Sequence, residues 1–277
     1  MLIPFLHSVV RRQLRRQGIE SKQILLNGQS FHYYELSPDN PAGVLVLLHG
    51  LGTSASTWVN ILPHIGRYRI LAPDLPGFGL SPAPETVPTI DRYALMMGNF
   101  LDAVVKGPFA LLGHSMGGWI TMKYALTHRD RVNHLLLVNT AGIYYQGVDK
   151  LRDAFILRST KDTRVLLDLI WVKYPWYFRP FTPFVFEDLV SRKVPEIVSS
   201  VREEDFVNSD LARLTMPVSV VWGMGDQLIS REALRILEEK LPARRIYTIR
   251  DSGHVPQLQA PGELLSILHK ALHEGIE

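Results

Sequence analysis

Cysteine is absent from this chain of 277 residues, which excludes disulfide bonds and cysteine-ligated metal centres but does not assign a cellular compartment. No apolar run reaches the roughly 18 residues that a membrane-spanning helix needs. The formal net charge is only +3 and does not indicate a nucleic-acid partner. With 46% hydrophobic and 21% charged residues, the chain can bury one large core, so one domain with an insertion is the simplest interpretation.

The most informative motif spans residues 113–117, with the sequence Gly-His-Ser-Met-Gly, and follows the apolar run 109–112. A serine nucleophile projects its hydroxyl from a sharp strand-to-helix turn, where side chains two residues before and after would collide with the backbone. Glycine at both of these positions removes the collision. The motif therefore predicts a nucleophile elbow at Ser115, although the five residues alone fit a glycine-rich turn equally well.

A serine nucleophile needs a histidine as general base and a carboxylate that orients this histidine. In the expected chain order of serine, acid and histidine, the base lies after Ser115 on a loop that follows a strand. His254 meets this condition, because it comes soon after the alternating run 245–249, which predicts a strand. The other histidines after Ser115 fit a helix end, the start of a strand or a polar helix face: His128, His134, His269 and His273.

Asp226 is the predicted acid. It lies in the glycine-containing loop that follows the apolar, β-branched run 217–222. A second acid position would follow the apolar run 135–138, but Asn139 stands there, and an amide cannot balance an imidazolium. Asp251 is close to His254 in sequence and stays a less favoured alternative, as does a simple turn role for Asp226.

The oxyanion that forms during acyl transfer needs hydrogen-bond donors, and backbone amides serve well. The amide of Met116 would lie at the start of the helix after the elbow, where the helix dipole favours negative charge. A second amide is expected from the glycine-rich loop 49–54, which follows the apolar run 44–48, and Leu51 is the natural candidate. An ordinary glycine loop is the alternative for this segment.

Five motifs in this order resemble the successive signatures of the α/β-hydrolase fold family: His-Gly-Leu-Gly at 49–52, Asp-Leu-Pro-Gly-Phe-Gly-Leu-Ser at 74–81, the elbow at 113–118, Trp-Gly before Asp226, and Gly-His at 253–254. The resemblance implies an α/β fold with a mostly parallel eight-stranded sheet flanked by helices and a helical cap inserted after strand 6. Residues 21–142 and 211–277 would form the core, and residues 143–210 the cap. The 74–79 segment is expected to shape the pocket wall.

Residues 1–20 form an amphipathic, basic segment. On a helix, Leu6, Val9, Val10 and Leu14 would share one face, and four arginines follow this apolar start. A secretory signal has its charges first and a small-residue cleavage site last, so none is expected here. The segment could lie on an anionic membrane surface, or pack on its own domain or on a second chain. We expect a cytoplasmic monomer or homodimer, with peripheral membrane association as an open alternative.

The alternation of strands and loops stops between about residues 143 and 210, and prolines at 175, 180 and 183 exclude a single helix there. In the family that the motifs resemble, an insertion at this place usually forms a lid over the nucleophile. Its aromatic residues suggest an apolar tunnel for an acyl chain, while rings that fix the lid to the core, or that contact lipid, are alternatives. The residues expected to line the substrate pocket are His114, Tyr174, Trp176, Phe181 and Val255.

Serine at the elbow favours acyl transfer and hydrolysis, because relatives that open epoxides or remove halides have aspartate there. The pattern, including residues 139–142, is similar to monoacylglycerol lipases and related bacterial carboxylesterases. It implies hydrolysis of short-to-medium acyl or monoacylglycerol-like esters without a metal or cofactor. A meta-cleavage carbon–carbon bond hydrolase is disfavoured, because Gln227 and Val255 stand where that group generally has arginine and tryptophan. A non-catalytic binding protein on the same scaffold is the third alternative.

Overall fold

An eight-stranded sheet forms the centre of the computed structural model, which describes residues 2–274. Its strands are β1 (Glu20–Leu26), β2 (Gln29–Leu36), β3 (Gly43–Leu48), β4 (Tyr68–Pro73), β5 (Phe109–His114), β6 (Val132–Val138), β7 (Val218–Gly223) and β8 (Arg244–Ile249). Their spatial order is β1-β2-β4-β3-β5-β6-β7-β8, antiparallel from β1 to β4 and parallel in every pair from β4 to β8. This mostly parallel sheet confirms the predicted fold class.

Helices cover both faces of the sheet: α1 (Leu2–Arg16), α2 (Ile90–Val104), α3 (Met116–Thr127), α4 (Asp149–Ala154), α5 (Thr160–Ile170), α6 (Thr182–Ser191), α7 (Val194–Ser199), α8 (Arg231–Lys240), α9 (Pro256–Gln259) and α10 (Pro261–Glu274). Successive strand residues point to opposite faces. Leu111 of β5 accordingly belongs to the core that contains α2, α3 and α8, whereas Leu112 belongs to the core that contains α1 and α10. The central strands are apolar throughout because both of their faces are covered.

The helical insertion after the sixth strand consists of α4 to α7, which lie between β6 and β7 in the chain. Hydrogen bonds join this insertion to α3 and to the segment that follows β6. The indole Nε1 of Trp119 donates to the carbonyl of Asp205 at 2.9 Å, and the amide of Val207 donates to the carbonyl of Gly142 at 3.0 Å. The cap is therefore packed on α3, the helix that begins directly after Ser115.

The first helix, α1, packs on its own domain through its C-terminal half. Leu14 and the following Ile19 are fully buried, and α1 contacts both α6 and the short turn Ala55–Trp58. The arginines of α1 stay exposed to solvent. Within residues 2–274, no helix has the length and apolar character that crossing a bilayer would require.

The turn between β5 and α3 is packed tightly against β3. Ser115 has φ +53° and ψ −120°, a backbone conformation that residues other than glycine rarely adopt. A Cβ atom at position 117 would lie 2.5 Å from the carbonyl oxygens of Leu48 and His49, and one at position 113 would lie 2.5 Å from Gly118 Cα. Because these neighbours are backbone atoms, they cannot move aside cheaply, so both positions require glycine.

We expect Gly117→Ala to lower the free energy of unfolding by about 1–3 kcal/mol, since the added methyl group overpacks the turn. Gly262→Ala is the matched control, because a Cβ there meets no atom within 4 Å. Urea denaturation of both variants measures the difference. A Gly117→Ala protein as stable as the control would contradict the packing described for this turn.

His134 makes stability depend on pH. Burial, aided by the charge of Arg245, lowers the pKa of His134 from 6.5 to about 4, and its Nε2 lies 2.9 Å from Ser219 Oγ. The unfolded chain takes up this proton at a higher pH than the folded chain, so stability is lost as pH falls from 6.5 towards 4. Between about pH 6.5 and 5 we expect a loss of about 2 kcal/mol from this residue.

Urea denaturation across this pH range tests the assignment. His134→Gln should remove about 2 kcal/mol of the pH dependence, because glutamine does not titrate. His64→Gln changes an exposed histidine and serves as control. Equal pH dependence in the wild type and His134→Gln would show that other groups cause the effect.

Candidate active site

Three side chains from three loops meet at the C-terminal edge of the parallel strands. Ser115 Oγ lies 2.9 Å from His254 Nε2, and His254 Nδ1 lies 2.8 Å from Asp226 Oδ2. All three residues are buried. In this arrangement, His254 can accept the hydroxyl proton through Nε2 while it donates its Nδ1 proton to the carboxylate. The structure thus brings together the serine, acid and histidine that the sequence pattern combined.

The carboxylate of Asp226 is held by four hydrogen bonds. Besides the bond from His254, Oδ2 accepts from Asn139 Nδ2 at 2.7 Å, and Oδ1 accepts from the amides of Leu228 and Ile229 at 2.9 and 3.0 Å. Asn139 cannot itself be the acid, but it orients the carboxylate of Asp226, a role that the sequence pattern did not predict. The signal was present, because a polar residue at the end of buried β6 faces the end of the neighbouring strand β7.

Both backbone polar groups of His254 are hydrogen-bonded. Its amide donates to the carbonyl of Ile170 at 2.8 Å, and its own carbonyl accepts from His114 Nε2 at 2.7 Å. Burial, together with the nearby His254, lowers the pKa of His114 well below its usual value. His114 is therefore neutral, and it positions the histidine loop.

The loop after β3 lies directly against the serine. A Cβ atom on Gly50 would be 3.1 Å from Ser115 Cβ, and both Leu51 and Met116 line the same cavity as Ser115. His49 fixes this loop, because its Nδ1 donates to the carbonyl of Gly50 at 2.8 Å and its Nε2 accepts from the amide of Leu75 at 2.9 Å. Burial lowers the pKa of His49, which favours the neutral ring that both bonds require.

Asp74 braces the same loop from the other end. Its Oδ1 accepts from the amide of Ala55 at 2.7 Å, and its Oδ2 accepts from the amide of Leu80 and from His32 Nδ1. Burial raises the pKa of Asp74, but His32, His49 and the amide of Leu80 together outweigh this effect and lower the pKa. Asp74 is absent from the residues lining the cavity beside Ser115, so its segment supports the loop instead of forming the pocket wall.

A cavity of about 290 Å³ opens beside Ser115. The rings of Trp119 and Phe206 stack at 4.9 Å on its wall and join α3 to the cap. The charged residues on the wall, Asp149, Arg152 and Glu203, are exposed to solvent, which places them towards the opening. The apolar lining consists mainly of cap residues: Tyr144, Val148, Leu151, Phe155, Ile197, Val198 and Val201, with Leu228 and Ile229 from the loop after Asp226. Such a chamber suits an apolar group next to the serine.

The structure corrects the expected pocket lining. Tyr174, Trp176 and Phe181 are absent from the residues that line this cavity, and Trp176 is 79% exposed. Prolines at 175 and 180 place the segment in a short turn, Trp176–Phe181, where neighbouring rings contact one another. His114 and Val255 are buried but do not line the cavity either. The sequence reveals which residues are aromatic, but the direction of each ring depends on tertiary packing.

The alternative histidines and acid lie elsewhere in the structure. His128 stacks on Tyr124 at 4.3 Å, His269 donates to the carbonyl of His64, and Asp251 is exposed. Among the described residues, no group of three or more histidine or acidic side chains is arranged to hold a metal ion.

Comparison with known proteins bears on the family and the fold. The family model described as "Alpha/beta hydrolase family" matches residues 45–267. Lipase 3 of Moraxella sp. (strain TA144) is 26% identical over 97% of this chain and 89% of its own length. A solved structure of a bacterial membrane phospholipase A has a TM-score of 0.87 and 23% identity, covering 100% of this chain and 92% of that chain.

A second solved structure, 2-hydroxy-6-oxo-6-phenylhexa-2,4-dienoate hydrolase of Rhodococcus sp. strain RHA1, has a TM-score of 0.80 and 21% identity, covering 92% of this chain and 99% of that chain. These two likenesses show a shared fold. The lipase relative aligns along nearly the whole sequence. With the family match extending from β3 into α10, across both the elbow and the histidine loop, this chain belongs to the alpha/beta hydrolase family.

Proposed function

We propose that this protein hydrolyses carboxylic esters through an acyl-enzyme on Ser115. The observation that carries the proposal is the continuous hydrogen-bond chain from Asp226 through His254 to Ser115, and Ser115 lines an apolar cavity. Serine hydroxyls become effective nucleophiles when a neighbouring base removes their proton. The alignment with a lipase supports the same proposal.

In the acylation step, Ser115 Oγ attacks the ester carbonyl carbon while His254 Nε2 takes the hydroxyl proton. Asp226 stabilises the resulting imidazolium, and the amides of Leu51 and Met116 donate to the oxyanion. The carbon–oxygen bond to the alcohol then breaks, and His254 gives its proton to the departing alkoxide. In the second half, His254 removes a proton from water, the hydroxide attacks the acyl-enzyme, and Ser115 regains its proton as the acid leaves.

The substrates we propose are short-to-medium acyl or monoacylglycerol-like esters. The walls beside Ser115 that would receive the acyl chain include Trp119, Phe155 and Ile197, while the charged residues are exposed. An apolar cavity with few polar groups selects by shape and length. Its volume of about 290 Å³ favours one short chain over a bulky triacylglycerol.

Ser115→Ala tests the chemistry. We expect it to lower turnover of p-nitrophenyl esters and monoacylglycerols by at least about 10³-fold and to abolish fluorophosphonate labelling, because the attacking oxygen is removed. Ser209→Ala, which alters an exposed serine, is the control. Ester turnover that survives Ser115→Ala would refute the mechanism. Faster cleavage of a vinylogous diketone acid than of any ester would instead favour the meta-cleavage hydrolase.

Ile197→Phe tests the placement of the acyl chain. Ile197 is buried on α7 and lines the cavity, so a larger ring there should lower kcat/KM for octanoyl esters about tenfold more than for acetyl esters. Val165→Phe makes a similar change on α5 at a position that is 54% exposed and serves as the control. An equal loss for both chain lengths would place the acyl group elsewhere.

A further inference from the structure

The cap carries a group of exposed aromatic rings that the ester site does not use. Trp176 is 79% exposed and Tyr177 56%, and Phe178, Phe181 and Phe184 are each exposed by more than 40%. We name these five residues the cap aromatic surface. Soluble monomers rarely expose large contiguous apolar patches without an interaction that covers them. The surface therefore needs a partner.

Three rings of the cap aromatic surface contact one another on a turn that contains proline. Pro175 and Pro180 limit the backbone of the turn, and the Tyr177 ring lies 4.9 Å from that of Phe178 and 6.0 Å from that of Trp176. Fixed side chains lose little conformational entropy on binding. The surface is thus suited to insertion into an apolar medium.

Basic residues accompany these rings, and the acidic Glu187 and Asp188 follow them on α6, where Asp188 pairs with Arg192 at 2.7 Å. Residues 171–186 contain Lys173 and Arg179 but no aspartate or glutamate. The helix α6, which carries Phe184, packs against α1, and the arginines at positions 11, 12, 15 and 16 of α1 are exposed. Residues 1–19 also contain no acidic residue. A cationic helix therefore adjoins the aromatic cap segment.

We propose that the cap aromatic surface and the arginines of α1 dock the protein on a bilayer that contains anionic lipids. Tryptophan and tyrosine favour the interface between water and hydrocarbon, and arginines near an anionic bilayer are attracted to its headgroups. A second copy of the chain would bring two cationic patches together, so charge complementarity favours the lipid. The docking is peripheral and does not depend on the chemistry at Ser115.

Co-sedimentation of the full chain with vesicles tests this docking. The vesicles contain ether-linked phosphatidylglycerol or, for comparison, ether-linked phosphatidylcholine, and these lipids offer no carboxylic ester to the site. We expect the wild type to bind the anionic vesicles more strongly, and high salt to weaken the binding. Trp176→Ser should weaken it on the order of tenfold. Arg12→Gln with Arg15→Gln should weaken it about fivefold per arginine on anionic vesicles only.

Matched controls remove an equally exposed apolar residue and an equally exposed arginine elsewhere. Leu25→Ser changes a residue of β1 that is 70% exposed, and Arg235→Gln changes an exposed residue of α8. Thermal unfolding of each variant verifies folding. Absence of wild-type binding to anionic vesicles, or equal weakening by the controls, overturns the proposal. So does a wild-type dimer that Trp176→Ser dissociates without any lipid binding, because the surface would then join two copies of the chain.

Discussion

The close approach of the β5–α3 turn to the backbone of β3 is the constraint on which the site depends. Gly117 lies against the carbonyls of Leu48 and His49, so the turn that carries Ser115 and the loop that carries Leu51 are joined by a backbone contact. This packing leaves Ser115 in a strained conformation with a positive φ, and α3 and the sheet hold it there. Since Ser115 and the loop expected to stabilise the oxyanion share one packed unit, their separation does not depend on flexible side chains. The loop after β7 adds Asp226 to this unit, and the loop after β8 adds His254.

A serine, a histidine and an aspartate in hydrogen-bond contact do not by themselves make an active site. This molecule contains a second such group, at which the other features of the Ser115 site are missing. Ser21 Oγ lies 2.8 Å from His32 Nε2, and His32 Nδ1 lies 2.7 Å from Asp74 Oδ2. Ser21, however, stands on the edge strand β1, in a cleft lined by arginines and polar residues. Asp74 there serves to brace the loop after β3. What distinguishes Ser115 is its position at a strained turn, beside a helix N-terminus and an apolar cavity, where an oxyanion and an acyl group can both be received.

The fold class and the grouping of Ser115, Asp226 and His254 were predictable because each depends on a local signal. Glycines flank the elbow, and the acid and the histidine each follow a recognisable strand, so parallel packing of those strands brings their ends together. The pocket lining was not predictable in the same way. Whether Trp176 points inward or outward depends on how the whole cap packs, and its residue type is compatible with both. Asn139 is an intermediate case, because its place at a strand end was visible, whereas its contact with Asp226 required the order of β6 and β7.

The two sides of the cap use apolar residues for different purposes. The cavity wall is built from α4, α7 and the segment that reaches Phe206, and these side chains enclose a small volume beside Ser115. The turn Trp176–Phe181 and α6 instead present rings to solvent next to a helix rich in arginine. A protein that acted only on dissolved esters would gain nothing from exposing these rings, since their hydration is unfavourable. A protein that works at a lipid surface gains binding energy from them without changing the cavity. Under the two proposals, the same insertion sets the acyl preference on its inner side and the location of the protein on its outer side.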